Sequence, residues 1–189
     1  MKQLLIIALL CSTTQIFAQD NARFERKGFV FGLGVGGGII HIQDHNTETS
    51  FEKTAGAISL PNLKIGFMLS EKTALLATLP GTIYQYEGRD RSFEAFIPSI
   101  QHWFSDSWWV NGGAGLAMDF PAFYDMKGLE NRDFNFGYAF AASSGIELVQ
   151  SRNYTLDLQA KVQYGKTYLE NDGHRNGTIF TLGVGFNWY

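Results

Sequence analysis

The chain has 189 residues, 15 Lys and Arg against 18 Asp and Glu, and a formal net charge of −3, with no run of like charges of the kind that marks a nucleic-acid surface. Its single cysteine, Cys11, lies in an N-terminal apolar stretch that reads as a cleaved signal, which leaves the mature chain without disulfide or thiol chemistry. Beyond that stretch nothing approaches the roughly 20 consecutive apolar residues of a membrane-crossing helix.

In chain order, Lys2 gives a positive start, Leu4 to Leu10 an apolar run, and Ile16-Phe17-Ala18 a cleavage site before Gln19. Residues 1–18 are therefore expected to be a signal peptide, too short in its apolar part to span a bilayer. Leu10 is bulky where a lipoprotein signal needs a small residue, so lipidation at Cys11 is not expected. Residues 19–27 read as a polar leader, and 28–189 as one β domain.

The first strand, about 28–43, sets Phe29, Phe31, Leu33, Val35 and Ile39 against Gly32, Gly34, Gly36 and Gly38. Four glycines on one face cost strand stability and make sense where that face looks into a narrow interior filled by larger neighbours. A nucleotide-binding glycine loop fails here, because no helical pattern follows and the strand runs on through Ile42. Residues 44–54 are polar and aperiodic, a loop. The second strand, about 55–69, has Leu63, Ile65, Phe67 and Leu69 opposite Asn62, Lys64 and Gly66, and Ser70-Glu71-Lys72 turns it.

In the third strand, about 73–87, Leu75, Ala77 and Leu79 give way after Pro80-Gly81 to Tyr84 and Tyr86, an apparent change of parity that predicts a bulge. Gly88-Arg89-Asp90 connects to the fourth, about 91–104, where Phe93, Ala95 and Ile97 alternate but either parity can be argued after Pro98. Ser105-Asp106-Ser107 is a second tight turn. The fifth strand, about 108–120, alternates Trp108, Val110, Ala114, Leu116, Met118 and Phe120 with Asn111, Gly113, Gly115, Ala117 and Asp119.

A second loop covers 121–132. The sixth strand, about 133–149, sets Phe134, Phe136, Tyr138, Phe140, Ile146 and Leu148 against Asn135, Gly137, Ser143, Gly145 and Glu147. After the turn Gln150-Ser151-Arg152, the seventh, about 153–168, alternates Tyr154, Leu156, Leu158, Ala160, Val162 and Tyr164 with Thr155, Asp157, Gln159, Lys161 and Gln163. A polar loop, 170–176, leads to the last strand, about 177–189, whose even positions from Phe180 to Trp188 are all large and apolar. Period-two alternation of this kind gives each strand one oily and one wet face.

Tight and longer connections alternate, and the aromatics fall at two levels. Trp103, Trp108, Trp109 and Trp188 lie toward the tight turns; Tyr84, Tyr86, Tyr138, Tyr164 and Tyr168 lie toward the other end. Both features are those of a barrel crossing a bilayer between two aromatic belts. The closing pattern Thr181-x-Gly183-x-x-Phe186-x-Trp188 resembles the C-terminal signal recognised by the machinery that inserts outer-membrane barrels. The whole mature chain resembles the small eight-stranded outer-membrane proteins, such as the OmpA transmembrane domain, OmpX and OmpW-like barrels. The resemblance implies an all-β, eight-stranded antiparallel up-and-down transmembrane β-barrel in the outer membrane of a Gram-negative bacterium. It also implies a periplasmic leader, contact with outer-membrane lipid and lipopolysaccharide, and the insertion machinery as a partner through Thr181, Gly183, Phe186 and Trp188.

Four constellations carry candidate chemistry. Lys64, Asp119, Glu147, Asp157 and Lys161 fall on inward faces and are expected to pair across the lumen, because charges removed from water need partners; the functional alternative is a gated ion path or a small-ligand site. Pro61, Pro80 and Pro98 fall mid-strand on three consecutive strands, either as bulges that curve the sheet or as a weakened wall open to a lipid tail. The lipid A palmitoyltransferase barrel resembles this in its proline-interrupted walls. Ser99, His102 and Glu94 share the fourth strand and would make a lipid A deacylase only if a bulge brought Ser99 and His102 to one face. His41, Asp44 and His45 have weak metal-ligand spacing. No catalytic, cofactor-binding or metal-ligating residue is assigned, and no extracellular ligand is named. The leading expectation is a structural or surface-interaction barrel acting through loops 44–54 and 121–132. The alternatives are a lipid A-modifying enzyme and a narrow channel for small apolar solutes.

Overall fold

The computed structural model describes residues 24–47, 50–125, 134–169 and 172–189. The expected signal peptide, the start of the leader and most of the 121–132 loop lie outside the described residues. Among the described residues nine strands follow one another: β1 (Phe29–His45), β2 (Glu52–Ser70), β3 (Thr73–Leu79), β4 (Gly81–Tyr86), β5 (Arg89–Trp103), β6 (Trp108–Pro121), β7 (Asn135–Gln150), β8 (Tyr154–Tyr168) and β9 (His174–Trp188). β3 and β4 are two halves of one stave: both pair with β5 in a single register, and Ala95 N–H donates to the Pro80 carbonyl between them at 2.9 Å. Every neighbouring pair is antiparallel, and β9 pairs with β1 from Phe31↔Trp188 to His45↔His174. The sheet therefore closes into an eight-staved antiparallel barrel with no free edge, as the alternation predicts.

Which face looks out is settled by exposure. Val162, Phe180, Leu182 and Val184 are all close to half exposed or more, and the same holds for Phe136, Phe140, Leu158 and Ile65. Between them Thr155, Asp157, Gln163 and Asn187 are almost fully buried. A soluble sandwich has the reverse arrangement; apolar outside and polar inside is the pattern of a barrel in lipid. Gly32 shows why glycine is needed on the inner face. A β-carbon there would lie 2.6 Å from Lys64 Cε and 2.8 Å from Asn187 Oδ1, so the missing side chain is the space those two occupy.

Five details depart from the alternation-based expectation. The loop expected at 44–54 is shorter, since β1 continues to His45 and Gln43 pairs with Glu52. The loop expected at 170–176 is also shorter, because Tyr168 pairs with His174. The turn placed at Gly88-Arg89-Asp90 is instead Glu87-Gly88, both at positive φ (49° and 79°) between the paired Tyr86 and Arg89. Two consecutive positive φ values make a type I′ hairpin turn, and glycine supplies one of them without strain.

The parity change expected at Pro80-Gly81 lies instead in β2. Gly34 pairs with Asn62 but Gly36 with Ser59, so two residues of β2 face the single Val35. Ala57 and Ser59 point inward on one side of this bulge, Asn62 and Lys64 on the other, while β3 and β4 keep one phase throughout. Tyr84 is consequently buried inside the barrel and not on a membrane belt.

Fifth, the apolar set Phe93, Ala95 and Ile97 faces the lumen, each with no exposed surface. The Phe93 ring fits because Gly165 and Gly177 face it: a β-carbon on either would come within 2.7 Å of Phe93 Cε1. Trp103 and Trp109 also point in, leaving Trp108 and Trp188 as the outward tryptophans; at the other end Tyr138 and Tyr168 face out.

Candidate functional site

The barrel has a turn end, with the connections after β2, β5 and β7, and a loop end opposite. Inside the loop end, Arg175 of β9 makes a bidentate pair with Asp44 of β1, Nε to Oδ1 and Nη2 to Oδ2 both at 2.6 Å. Its remaining nitrogen, Nη1, donates to Asp119 Oδ2 at 3.0 Å and to the Tyr84 hydroxyl at 2.8 Å. Asp119 also receives Arg91 at 3.0 and 3.1 Å and the Tyr84 hydroxyl at 2.8 Å. Tyr86 lies 4.1 Å from the Arg175 guanidinium. Two guanidinium groups and two carboxylates thus tie β1, β5, β6 and β9 across the lumen, with each oxygen satisfied, as buried charge requires.

The turn end is closed around Glu147 of β7. Its carboxylate receives Arg26 at 2.5 Å, Trp103 Nε1 at 2.9 Å, Gln150 Nε2 at 2.9 Å and the Tyr189 hydroxyl at 3.2 Å. Arg26 precedes β1, so the leader folds back into the mouth; its guanidinium also donates to the Asp106 carbonyl and lies 4.8 Å from the Trp103 ring.

Midway, Lys64 stands 3.9 Å from Asp157 and 4.8 Å from the Trp109 ring centroid, and Asn187 Nδ2 donates to Asp157 at 2.8 Å. Lys161 donates to Asn62 Oδ1. A cavity of about 60 Å³ remains here, bordered by residues of every stave. Of the five charges expected to pair with one another, only Lys64 and Asp157 do. Asp119 and Glu147 find arginines that no inward alternation had flagged.

No protein-family model matches the sequence, and no curated protein matches it. Among solved structures, Ail, the attachment invasion locus protein of Yersinia pestis, aligns with a TM-score of 0.53 at 13% identity, covering 85% of this chain and 99% of that one. Neisserial surface protein A aligns with a TM-score of 0.57 at 16% identity, covering 85% and 96% respectively. The fold is that of the small outer-membrane β-barrels.

Within this outer-membrane barrel fold the remaining candidate residues separate. Ser99 points into the lumen, where Asn111 Nδ2 donates to its hydroxyl at 3.0 Å; His102 points outward and meets Thr73 Oγ1 at 3.0 Å. No bulge intervenes, so nucleophile and base stand on opposite faces of the wall. Glu94 accepts from Ser92 at 2.6 Å, far from either role. His41 and His45 lie on the outer phase of β1, with His41 Nδ1 2.8 Å from Thr54 Oγ1 and His45 stacked on His174 at 4.9 Å, whereas Asp44 points in to Arg175. These three do not converge on a metal.

Pro61 and Pro80 are neighbours across the β2–β3 boundary, but Pro98 sits lower, opposite Ala77. The wall is faulted at the first two. Ladder pairing between β2 and the β3–β4 stave runs to Leu63↔Leu79 and reappears only at Ile58↔Ile83; the Ser59 hydroxyl donates to the Gly81 carbonyl at 2.5 Å in between. On the outer surface beside this fault is an apolar groove of about 310 Å³ that includes Leu33, Val35, Pro61 and Phe186. In the closing strand, Thr181 faces in and Phe186 and Trp188 face out, their rings 4.3 Å apart edge to face, while Gly183 lies against the Val35 carbonyl.

Proposed function

We propose that the chain is an integral outer-membrane barrel of a Gram-negative bacterium with a structural or surface-interaction role carried by its loop end. The observation that supports this most is the lumen, closed by the Arg175–Asp44–Asp119–Arg91 cluster at one end and by Arg26–Glu147 at the other. A scaffold needs such closure and an open conduit does not. In this reading 1–18 is a cleaved signal peptide, 19–27 a periplasmic leader whose Arg26 seals the inner mouth, and 28–189 the barrel. The outward apolar face meets outer-membrane lipid and lipopolysaccharide. Thr181, Gly183, Phe186 and Trp188 present the signal to the insertion machinery.

The exposed Phe123 and Tyr124 add aromatic surface to the loop end just after β6. Ail has been solved with the heparin analogue sucrose octasulfate; a sulfated polysaccharide is accordingly the first loop ligand to try here. The test is a set of three measurements, two on the purified protein and one on cells. The surface reading expects no discrete conductance steps in planar bilayers. It expects no change of lipid A acylation by mass spectrometry in cells with and without the protein. It also expects binding to immobilised heparin that is lost when 121–132 is replaced by a short turn. Conductance would favour the narrow-channel reading, and a mass shift of one acyl chain that disappears in His102→Ala would favour the enzyme.

A further inference from the structure

We propose that the mid-lumen cavity is a binding site for a single carboxylate group, with Lys161 as its counter-charge and the Trp109 indole N–H as a hydrogen-bond donor. Lys161 is unlike the other cations inside the barrel. Lys64, Arg91 and Arg175 each have a carboxylate within 4.0 Å, whereas Lys161 has none among the described residues and only the neutral Asn62 Oδ1 as a partner. A cation enclosed without an anion is costly, so a site of this kind draws one in.

A second observation points the same way. Trp109 is 1% exposed and borders the same cavity, yet its Nε1 has no hydrogen-bond partner among the described residues. An indole nitrogen only donates, so what satisfies it must be an acceptor. The rest of the lining supplies adaptable amides and hydroxyls, among them Gln101, Asn111, Ser143 and Thr181. The two buried side-chain acceptors left unpartnered among the described residues, Asp157 Oδ1 and Asn187 Oδ1, are not part of this lining. At about 60 Å³ the cavity has room for roughly two water-sized volumes, which suits a carboxylate.

Access defines two sources for that group. Leu33, Gly34 and Val35 border both the cavity and the outer apolar groove at the β1–β2 bulge. A free small carboxylate would enter from water. A single-chain fatty acid would place its head in the cavity and its chain in the groove past Pro61 and Val184.

The experiment uses the folded barrel in a zwitterionic detergent and follows carboxyl-¹³C acetate and carboxyl-¹³C dodecanoate by NMR. Saturable binding to the wild type, at least tenfold weaker in Lys161→Met and weaker in Trp109→Phe, is the expected result. Lys161→Met keeps an unbranched side chain one heavy atom shorter and removes the lone charge, and retained heat-modifiable migration on a gel confirms that it folds. A Val35→Trp variant separates the sources. Weaker dodecanoate with unchanged acetate assigns the site to the amphiphile, and unchanged binding of both probes assigns it to the free anion. Absence of saturable binding by both probes, or binding equal in the wild type and Lys161→Met, overturns the proposal.

Discussion

Replacing Arg175 by Met tests whether the loop-end cluster holds the barrel together. The substitution keeps most of the side-chain volume and removes the two 2.6 Å contacts to Asp44 and the 3.0 Å contact to Asp119. Asp119 retains Arg91, but Asp44 loses the one cation within 4.0 Å of it among the described residues and is left 7% exposed inside the wall. Breaking a buried pair by removing one partner costs about 3–5 kcal/mol. The equilibrium constant for unfolding should therefore rise by roughly two to three and a half powers of ten, at about 1.4 kcal/mol for each. Arg91→Met, whose carboxylate keeps Arg175, should cost less, about 1.5–3 kcal/mol for the lost charged hydrogen bonds. Urea unfolding of protein folded into phospholipid vesicles, read by tryptophan emission and by the unheated gel band, measures both. Adding Asp44→Asn to Arg175→Met removes the stranded charge and should restore at least about 1 kcal/mol, a coupling of the size seen for contacting residues. A loss below about 1 kcal/mol for Arg175→Met, or a further loss on adding Asp44→Asn, would refute the argument.

Other expectations use the same assay or a simple variant of it. Val162→Arg, mid-strand on the outer face, should cost about 2–4 kcal/mol in vesicles, while Leu148→Arg near the turn end should cost about 0–1; equal losses would contradict the placement of the membrane. Gly177→Ala drives a methyl into the Phe93 ring and should lower stability by about 1–3 kcal/mol, with recovery when Phe93→Leu is added. Arg26→Gln weakens the hold of Glu147 on the leader, so trypsin should cut at Lys27 in the variant and spare the wild type; mass spectrometry of the digest decides, and equal resistance counts against a sealed mouth.

The strands were legible because period-two alternation survives in nearly every stave, and the closing strand carries it without a break from Phe180 to Trp188. Facing was less legible where both phases are apolar. In β5 the run Phe93, Ala95 and Ile97 looks like a lipid face and is the lumen, and only the glycines of β8 and β9 that receive Phe93 distinguish the two. Those glycines are far away in sequence, so no local window contains the cue. Asp44 and Arg175 were hidden differently: polar residues at strand ends look like loop. Continuing the inward phase two residues past Ile42, and two before Gly177, reaches both. Arg26 had no such signal, because a leader without periodicity gives no indication of which side chain turns inward.

The bulge at Pro61 also says something about chain length. Where a stave alternates without a register shift, losing one residue would turn the rest of that stave inside out, since alternate side chains belong to lipid and lumen. In β2 the arithmetic is reversed. Ser59 already points in, Pro61 out and Asn62 in, with one residue more than β1 can match opposite Val35. Deleting Pro61 would return the strand to plain alternation without reorienting Ala57, Ser59, Asn62 or Lys64. A smooth wall and a faulted wall are thus a single codon apart, and, unlike the register shifts at Met68/Ser70 and Glu147/Val149 beside the turns, this one lies mid-wall, where the barrel's side can be opened or healed by an evolutionary step that leaves its inner and outer surfaces unchanged.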